Sequence, residues 1–175
     1  VRNWERWLIQ REVGPDGLTV RTAPITSPAK QIGTSYEARR TDHASASDYI
    51  YFGVDDKFIK GGPEAVDVYV TYLDNNRAAW NLQYDSAGGS AYKSTRVVTN
   101  TADGRWKTTK FAIEDAGFAN RQNGGMDFRL YNGGVEDATV RFVRVVKVNA
   151  PGSVPTPTPT PPAPPTHLRI IRAAM

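Results

Sequence analysis

Met126-Asp127-Phe128-Arg129-Leu130-Tyr131, Asn132-Gly133-Gly134 and then Thr139-Val140-Arg141-Phe142-Val143-Arg144-Val145-Val146-Lys147-Val148 is the stretch that decides the fold. Apolar residues alternate with polar ones on both sides of a glycine turn, the period of a strand with one buried face. Phe128 and Leu130 therefore point into a core, and Asp127, Arg129 and Tyr131 share the opposite face. Asn-Gly-Gly supplies residues that adopt positive φ cheaply, as a turn between antiparallel strands requires.

The same grammar extends outward. Alternating runs cover Tyr49–Val54, Val66–Leu73, Ala79–Tyr84, Thr95–Val98 and Trp106–Ile113, separated by Gly61-Gly62-Pro63, Asp74-Asn75-Asn76, Gly88-Gly89 and Asp103-Gly104. Trp7, Ile9 and Val13 precede Gly14-Pro15-Asp16-Gly17 and the alternating Leu18–Arg21, which reads as a hairpin. Glu114–Asn120 offers at most one short helical turn. About nine short strands with even turn spacing predict an all-β, antiparallel two-sheet β-sandwich of jelly-roll type. Trp80, Leu82 and Tyr84 read as core, with Asn81 and Gln83 on the other side of their strand.

All eighteen aromatics precede Ala150, so residues 1–149 are expected to be one folded unit. Residues 150–166 hold eight of the twelve prolines, in Pro155-Thr156-Pro157-Thr158-Pro159-Thr160 and its continuation. Proline fixes φ and lacks an N–H, so this segment is expected to be an extended linker of roughly 50 Å between two modules. Residues 167–175 would begin a truncated following module or be a tail.

Composition removes whole classes of chemistry. With no Cys, disulfides, thiol catalysis and thiolate metal sites are out, and His43 and His167 are too few for a histidine cluster. No apolar run is long enough for a membrane helix. Val1–Gln10 carries Arg2, Glu5 and Arg6, which does not read as a signal peptide, so an export signal is expected upstream. The formal charge of +4 owes two units to Arg169 and Arg172 beyond the linker. Arg39-Arg40 and Arg141, Arg144 and Lys147 stand among Glu37, Asp42, Glu136 and Asp137 rather than in a basic stripe, which disfavours nucleic acid as a partner.

The succession Ala38-Arg39-Arg40-Thr41-Asp42, Tyr51-Phe52-Gly53-Val54-Asp55-Asp56, Val70-Thr71-Tyr72-Leu73-Asp74, Leu82-Gln83-Tyr84-Asp85, Gly104-Arg105-Trp106-Lys107-Thr108 and Asp127-Phe128-Arg129-Leu130 resembles the β-sandwich carbohydrate-binding accessory modules of secreted bacterial polysaccharide-degrading enzymes. The likeness spans nearly all of residues 3–149. It implies a non-catalytic, extracellular, monomeric module that binds a polysaccharide or oligosaccharide and is linked to a glycoside hydrolase, with no nucleic-acid or membrane partner. Many such modules hold a structural calcium between an acid near the start and another in the last strand. Here Val140-Arg141-Phe142-Val143-Arg144 offers no acid, so the residues imply no certain cofactor, and calcium rests on the resemblance alone.

Sugar recognition needs flat aromatic surface against pyranose C–H groups and planar amides, carboxylates or guanidinium groups for the hydroxyls. Trp106, which opens its strand beside Thr108 and Lys110, is the expected platform. Tyr92, in a loop of small residues, is the second. Asp127, Arg129 and Tyr131 share a face that forms either a polar, stacking-capable ligand surface or a plain cross-strand ion pair of Asp127 with Arg129, and Arg40, beside Arg39 and Asp42, is a further candidate open to the same two readings. Of Trp4 and Trp7, three positions apart, one is expected to be buried. Convergent arginines would favour acidic sugars, since the guanidinium fork matches a carboxylate. The competing readings are a small glycoside hydrolase working through a pair such as Asp42, Asp55, Asp56, Asp74, Asp85, Asp127 or Asp137, a polysaccharide lyase using Lys93 with Tyr92, or a purely structural docking module. Aspartates beside Asn or Gly, such as Asp74 and Asp103, are adequately explained as turn formers.

Overall fold

The computed structural model describes residues 5–8, 18–22 and 36–148. They form eleven strands: β1 (Glu5–Leu8), β2 (Leu18–Thr22), β3 (Tyr36–Arg40), β4 (Tyr49–Phe52), β5 (Glu64–Asp74), β6 (Ala79–Tyr84), β7 (Lys93–Ser94), β8 (Val98–Thr99), β9 (Arg105–Ala116), β10 (Phe128–Tyr131) and β11 (Thr139–Lys147). A six-stranded sheet has the order β2-β3-β11-β5-β9, with β1 also on β11. A five-stranded sheet has the order β4-β10-β6-β7, with β8 also on β6. Every pairing is antiparallel. From β3 to β6, and again from β9 to β11, the chain alternates between the sheets, which is jelly-roll topology.

The core is the interlayer between the two sheets. Val66, Val68, Val70 and Tyr72 of β5, Phe111 and Ile113 of β9, and Val140, Val143 and Val145 of β11 face Ile50, Phe52, Trp80, Leu82, Tyr84, Phe128 and Leu130 from the other sheet. Each such side chain contributes about 1.5–3 kcal/mol through burial. Trp80 meets Tyr72 and Phe111 edge-on at 4.9 and 5.7 Å. Its indole N–H is not stranded, because it donates to Asn100 Oδ1 at 3.0 Å. In β11 the buried set passes from Val140 to Val143, an odd step that strict alternation forbids. A register shift between Val140 and Phe142 inserts one residue, Arg141, and re-phases the strand.

Several expectations change at the edges. Of the predicted hairpin of Trp7–Val13 with Leu18–Arg21, the described parts pair elsewhere: β1 with β11, and β2 with β3. Ile9, Val13 and the Gly14–Gly17 turn lie outside the described residues, as do Trp4, the Pro-Thr segment and residues 167–175. β3 was hidden by its charges, yet Ala38 is fully buried and Arg39 nearly so. The expected Thr95–Val98 strand is replaced by β7 and β8, two-residue pieces that both lie on β6. Glu114–Ala116 extends β9 instead of starting a helical turn. The described residues thus hold nine strands of four residues or more, as expected, besides the two-residue β7 and β8.

Candidate functional site

Alternation dictates what the five-stranded sheet shows on its outer side. With Ile50, Phe52, Leu82, Tyr84, Phe128 and Leu130 committed to the core, Tyr49, Tyr51, Asn81, Gln83, Arg129 and Tyr131 must project outward. Register then sets the neighbours: Arg129 lies opposite Tyr51 and Gln83, and Tyr131 lies opposite Tyr49 and Asn81. The result is a patch of tyrosines around one arginine. The Arg129 guanidinium carbon lies 3.8 Å from the Tyr49 ring centroid, 4.2 Å from that of Tyr92 and 5.4 Å from that of Tyr51. Arg129 Nε donates to Gln83 Oε1 at 2.7 Å and Nη1 to Tyr51 Oη at 2.6 Å. Tyr131 stacks on Tyr49 with centroids 5.0 Å apart and planes 22° from parallel. Tyr92 is pinned at the rim, its hydroxyl donating to Asn123 Oδ1 at 2.9 Å and accepting from the Asn123 amide N–H at 3.1 Å.

A pure packing cluster would spend its polar atoms internally. This one does not. Among the described residues, the hydroxyls of Tyr49 and Tyr131 and the carboxamide of Asn81 have no hydrogen-bond partner, yet none of them is a sealed, unsatisfied atom. Two of the five guanidinium N–H groups of Arg129 are used, leaving three. The patch thus presents aromatic surface, hydroxyls and a cation to the outside, with the Asn81 amide, 9% exposed, at its floor.

The expected site residues scatter. Arg129, Tyr131 and Tyr92 come together, joined by Tyr49 and Tyr51, which the candidate set omitted although the alternation in Tyr49-Ile50-Tyr51-Phe52 already placed them outward. Trp106 is on the other sheet, opposite Leu73 of β5, half-buried and with the Arg141 guanidinium 4.4 Å from its ring. The bulge that re-phases β11 is what puts Arg141 there. Arg40 is also on that sheet, opposite Thr139 and 3.5 Å from Asp137.

Asp127 is the correction. Alternation placed it beside Arg129, but it is 0% exposed. It sits one residue before β10 begins, its own N–H and C=O bonded to Phe52 and Asp85, and the loops at Val54 and Asn120 close over its carboxylate. The carboxylate accepts the amide N–H groups of Val54 at 2.7 Å and Asn120 at 3.0 Å, stitching two loops together. Burial raises its pKa, and those two N–H bonds only partly oppose the rise. Two other buried aspartates do similar work. Asp74 accepts from Thr101 N and Oγ1 and from Ala102 N, and pairs with Lys107. Asp85 accepts from Ala119 N at 2.9 Å and from Arg121 Nε at 2.7 Å. A depression of about 350 Å³ lies at one edge, away from the tyrosine face, between Gly61–Pro63, Ser86–Gly88 and Gly117–Arg121. Arg121 at its wall is committed to Asp85, Ser86 and Gly89.

Among the described residues no group of three acidic or histidine side chains is arranged to hold a metal ion. Asp137, the acid nearest β11, already accepts from Thr41 Oγ1 and the His43 amide N–H.

No family model and no curated protein matches the sequence. Solved structures similar to it include carbohydrate-binding modules. One is the C-terminal CBM6 of a marine laminarinase from Zobellia galactanivorans, at 9% identity over 82% of this chain and 99% of that one, TM-score 0.41. Another is the CBM22-1–GH10 portion of a Clostridium thermocellum xylanase complexed with xylohexaose, at 14% identity over 83% of this chain and 26% of that one, TM-score 0.47. A third is a module of Cellvibrio mixtus lichenase 5A in complex with cellotriose, at 12% identity over 84% and 98%, TM-score 0.39. At these scores the likenesses carry no argument for function, which stands on the residues.

Proposed function

We propose that this chain is a non-catalytic carbohydrate-binding module and that its ligand lies on the outer face of the five-stranded sheet. The observation that carries this is the set of unspent polar groups, Tyr49 Oη, Tyr131 Oη, the Asn81 amide and three Arg129 N–H, set among stacked rings. Sugar hydroxyls both donate and accept, and their C–H faces pack on aromatic carbon, so this mixture suits them. The buried aspartates support a non-catalytic role, because Asp74, Asp85 and Asp127 spend their oxygens on backbone N–H groups and, for Asp74 and Asp85, on Thr101, Lys107 and Arg121 side chains. The Pro-Thr segment would tether the module, outside the cell, to a catalytic domain acting on the same glycan, raising local concentration without new chemistry. Affinity should be modest, since a shallow face offsets little more than the cost of association.

Affinity electrophoresis through gels containing individual polysaccharides, with and without a chelator, tests the proposal. Retardation on at least one glycan without release of reducing sugar is expected. Sugar release would make the chain an enzyme, and no retardation on any glycan would leave a structural module.

A further inference from the structure

Resting on that reading, the geometry points to an acidic polysaccharide as the ligand, one whose uronic-acid carboxylate is held by Arg129. Five cations elsewhere among the described residues have carboxylate partners: Lys93 has Asp115, Lys107 has Asp74, Lys110 has Asp67, Arg121 has Asp85 and Lys147 has Glu64, whereas Arg96 is held by Thr109 Oγ1 and the Lys110 carbonyl, away from the tyrosine face. Arg129 is held only by neutral groups, the Gln83 amide and the Tyr51 phenol, and by ring faces. Among the described residues no acid is paired with it, and the outward positions of β4, β10 and β6 are tyrosine, arginine and carboxamide. Asp48, just before β4, is occupied by His43 Nδ1 at 2.7 Å and Asn132 Nδ2 at 3.0 Å.

A half-buried guanidinium without a counter-charge is a cost to the free protein that an incoming anion removes. The donors left over suit one particular anion. With Nε and one Nη1 hydrogen spent, the remaining Nη1 hydrogen and both Nη2 hydrogens belong to the nitrogen pair that a carboxylate engages end-on. Tyr49 and Tyr92 fix the guanidinium plane, so little rotamer freedom is lost on binding. The neutral hydroxyls and the Asn81 amide beside it then fit the rest of the ring.

The test compares one polymer backbone with and without charge. The full chain is run by affinity electrophoresis, at physiological salt, in polygalacturonate, in alginate, in the carboxyl-reduced form of each, in dextran sulfate, and in neutral xylan and glucan. Retention by an acidic polymer at least about tenfold stronger than by its reduced form is expected. Arg129→Lys, which keeps the charge but not the fork, should lose about tenfold in that retention while keeping the wild-type circular dichroism spectrum. Lys110→Gln, on the opposite sheet, should retain it. Equal binding of native and reduced polymers, or retention by neutral glycans only, overturns the acidic-sugar inference and leaves sugar binding standing. Binding to dextran sulfate as strong as to the uronates and indifferent to Arg129→Lys shows charge attraction alone and overturns it as well. Retention by no glycan removes both readings together.

Discussion

Arg129 and Tyr49 stand diagonally across β10 and β4 with guanidinium carbon and ring centroid 3.8 Å apart, a cation–π contact on the outside of a sheet whose inside is all apolar. The contact orients both groups and leaves the phenol oxygen spare. Tyr49→Phe should accordingly leave the melting temperature nearly unchanged and weaken glycan retention several-fold. Tyr49→Ala removes the ring as well, and should cost about 1–2 kcal/mol of stability besides. Thermal denaturation beside affinity electrophoresis separates the two effects. Wild-type retention by Tyr49→Phe would mean the hydroxyl does not touch the ligand.

Trp106→Ala should leave glycan binding intact. The indole lies on the six-stranded sheet and carries Arg141 against its ring. Loss of binding in this variant, with stability preserved, would move the site to the opposite face.

The pH dependence of stability contains two opposing contributions. Burial alone would raise the pKa of Asp74, but Lys107, Thr101 and the N–H groups of Ala102 and Thr101 outweigh it and hold the carboxyl well below its ordinary range. Its stabilisation is present above the unfolded value of about 3.9 and drains away as pH falls toward the lower folded value. Asp127, raised by burial, acts in the other sense: its contribution is full below the unfolded value and is lost as pH rises through the folded one. Asp74→Asn should thus cost about 2 kcal/mol at neutral pH, and the gap from wild type should narrow near pH 3. Urea midpoints at the two pH values measure it, and a gap that does not narrow contradicts the assignment.

Gly117→Ala should destabilise the loops around the edge depression. An added Cβ would sit 2.8 Å from Ala87 N and 3.0 Å from Ser86 C, both backbone atoms that cannot swing aside. A loss of about 1–3 kcal/mol by chemical denaturation is expected, with glycan retention unchanged when measured well below the melting temperature.

Period-two patterning made the sandwich legible, because the Phe128-Leu130, Trp80-Leu82-Tyr84 and Val66–Tyr72 series each bury every second residue as written. The same rule places Arg129 and Tyr131 outward, and it would have placed Tyr49 and Tyr51 beside them. It fails where the backbone leaves the pleat. Asp127 precedes its strand and turns in to meet two N–H groups, and Arg141 is an inserted residue that shifts the phase of β11. Strand partners are equally invisible to periodicity. A turn-like Gly-Pro-Asp-Gly suggested a hairpin, whereas β1 lies on the last strand, more than a hundred residues away in sequence.

Mapping of backbone amide shifts by NMR during titration with acidic oligosaccharides, polygalacturonate and alginate fragments, addresses the central claim most directly. Perturbations should centre on Tyr49–Tyr51, Asn81–Gln83, Tyr92 and Arg129–Tyr131. Shifts confined to Trp106 and its neighbours, or to the edge between Ser86–Gly88 and Gly117–Arg121, would contradict a ligand on the tyrosine face.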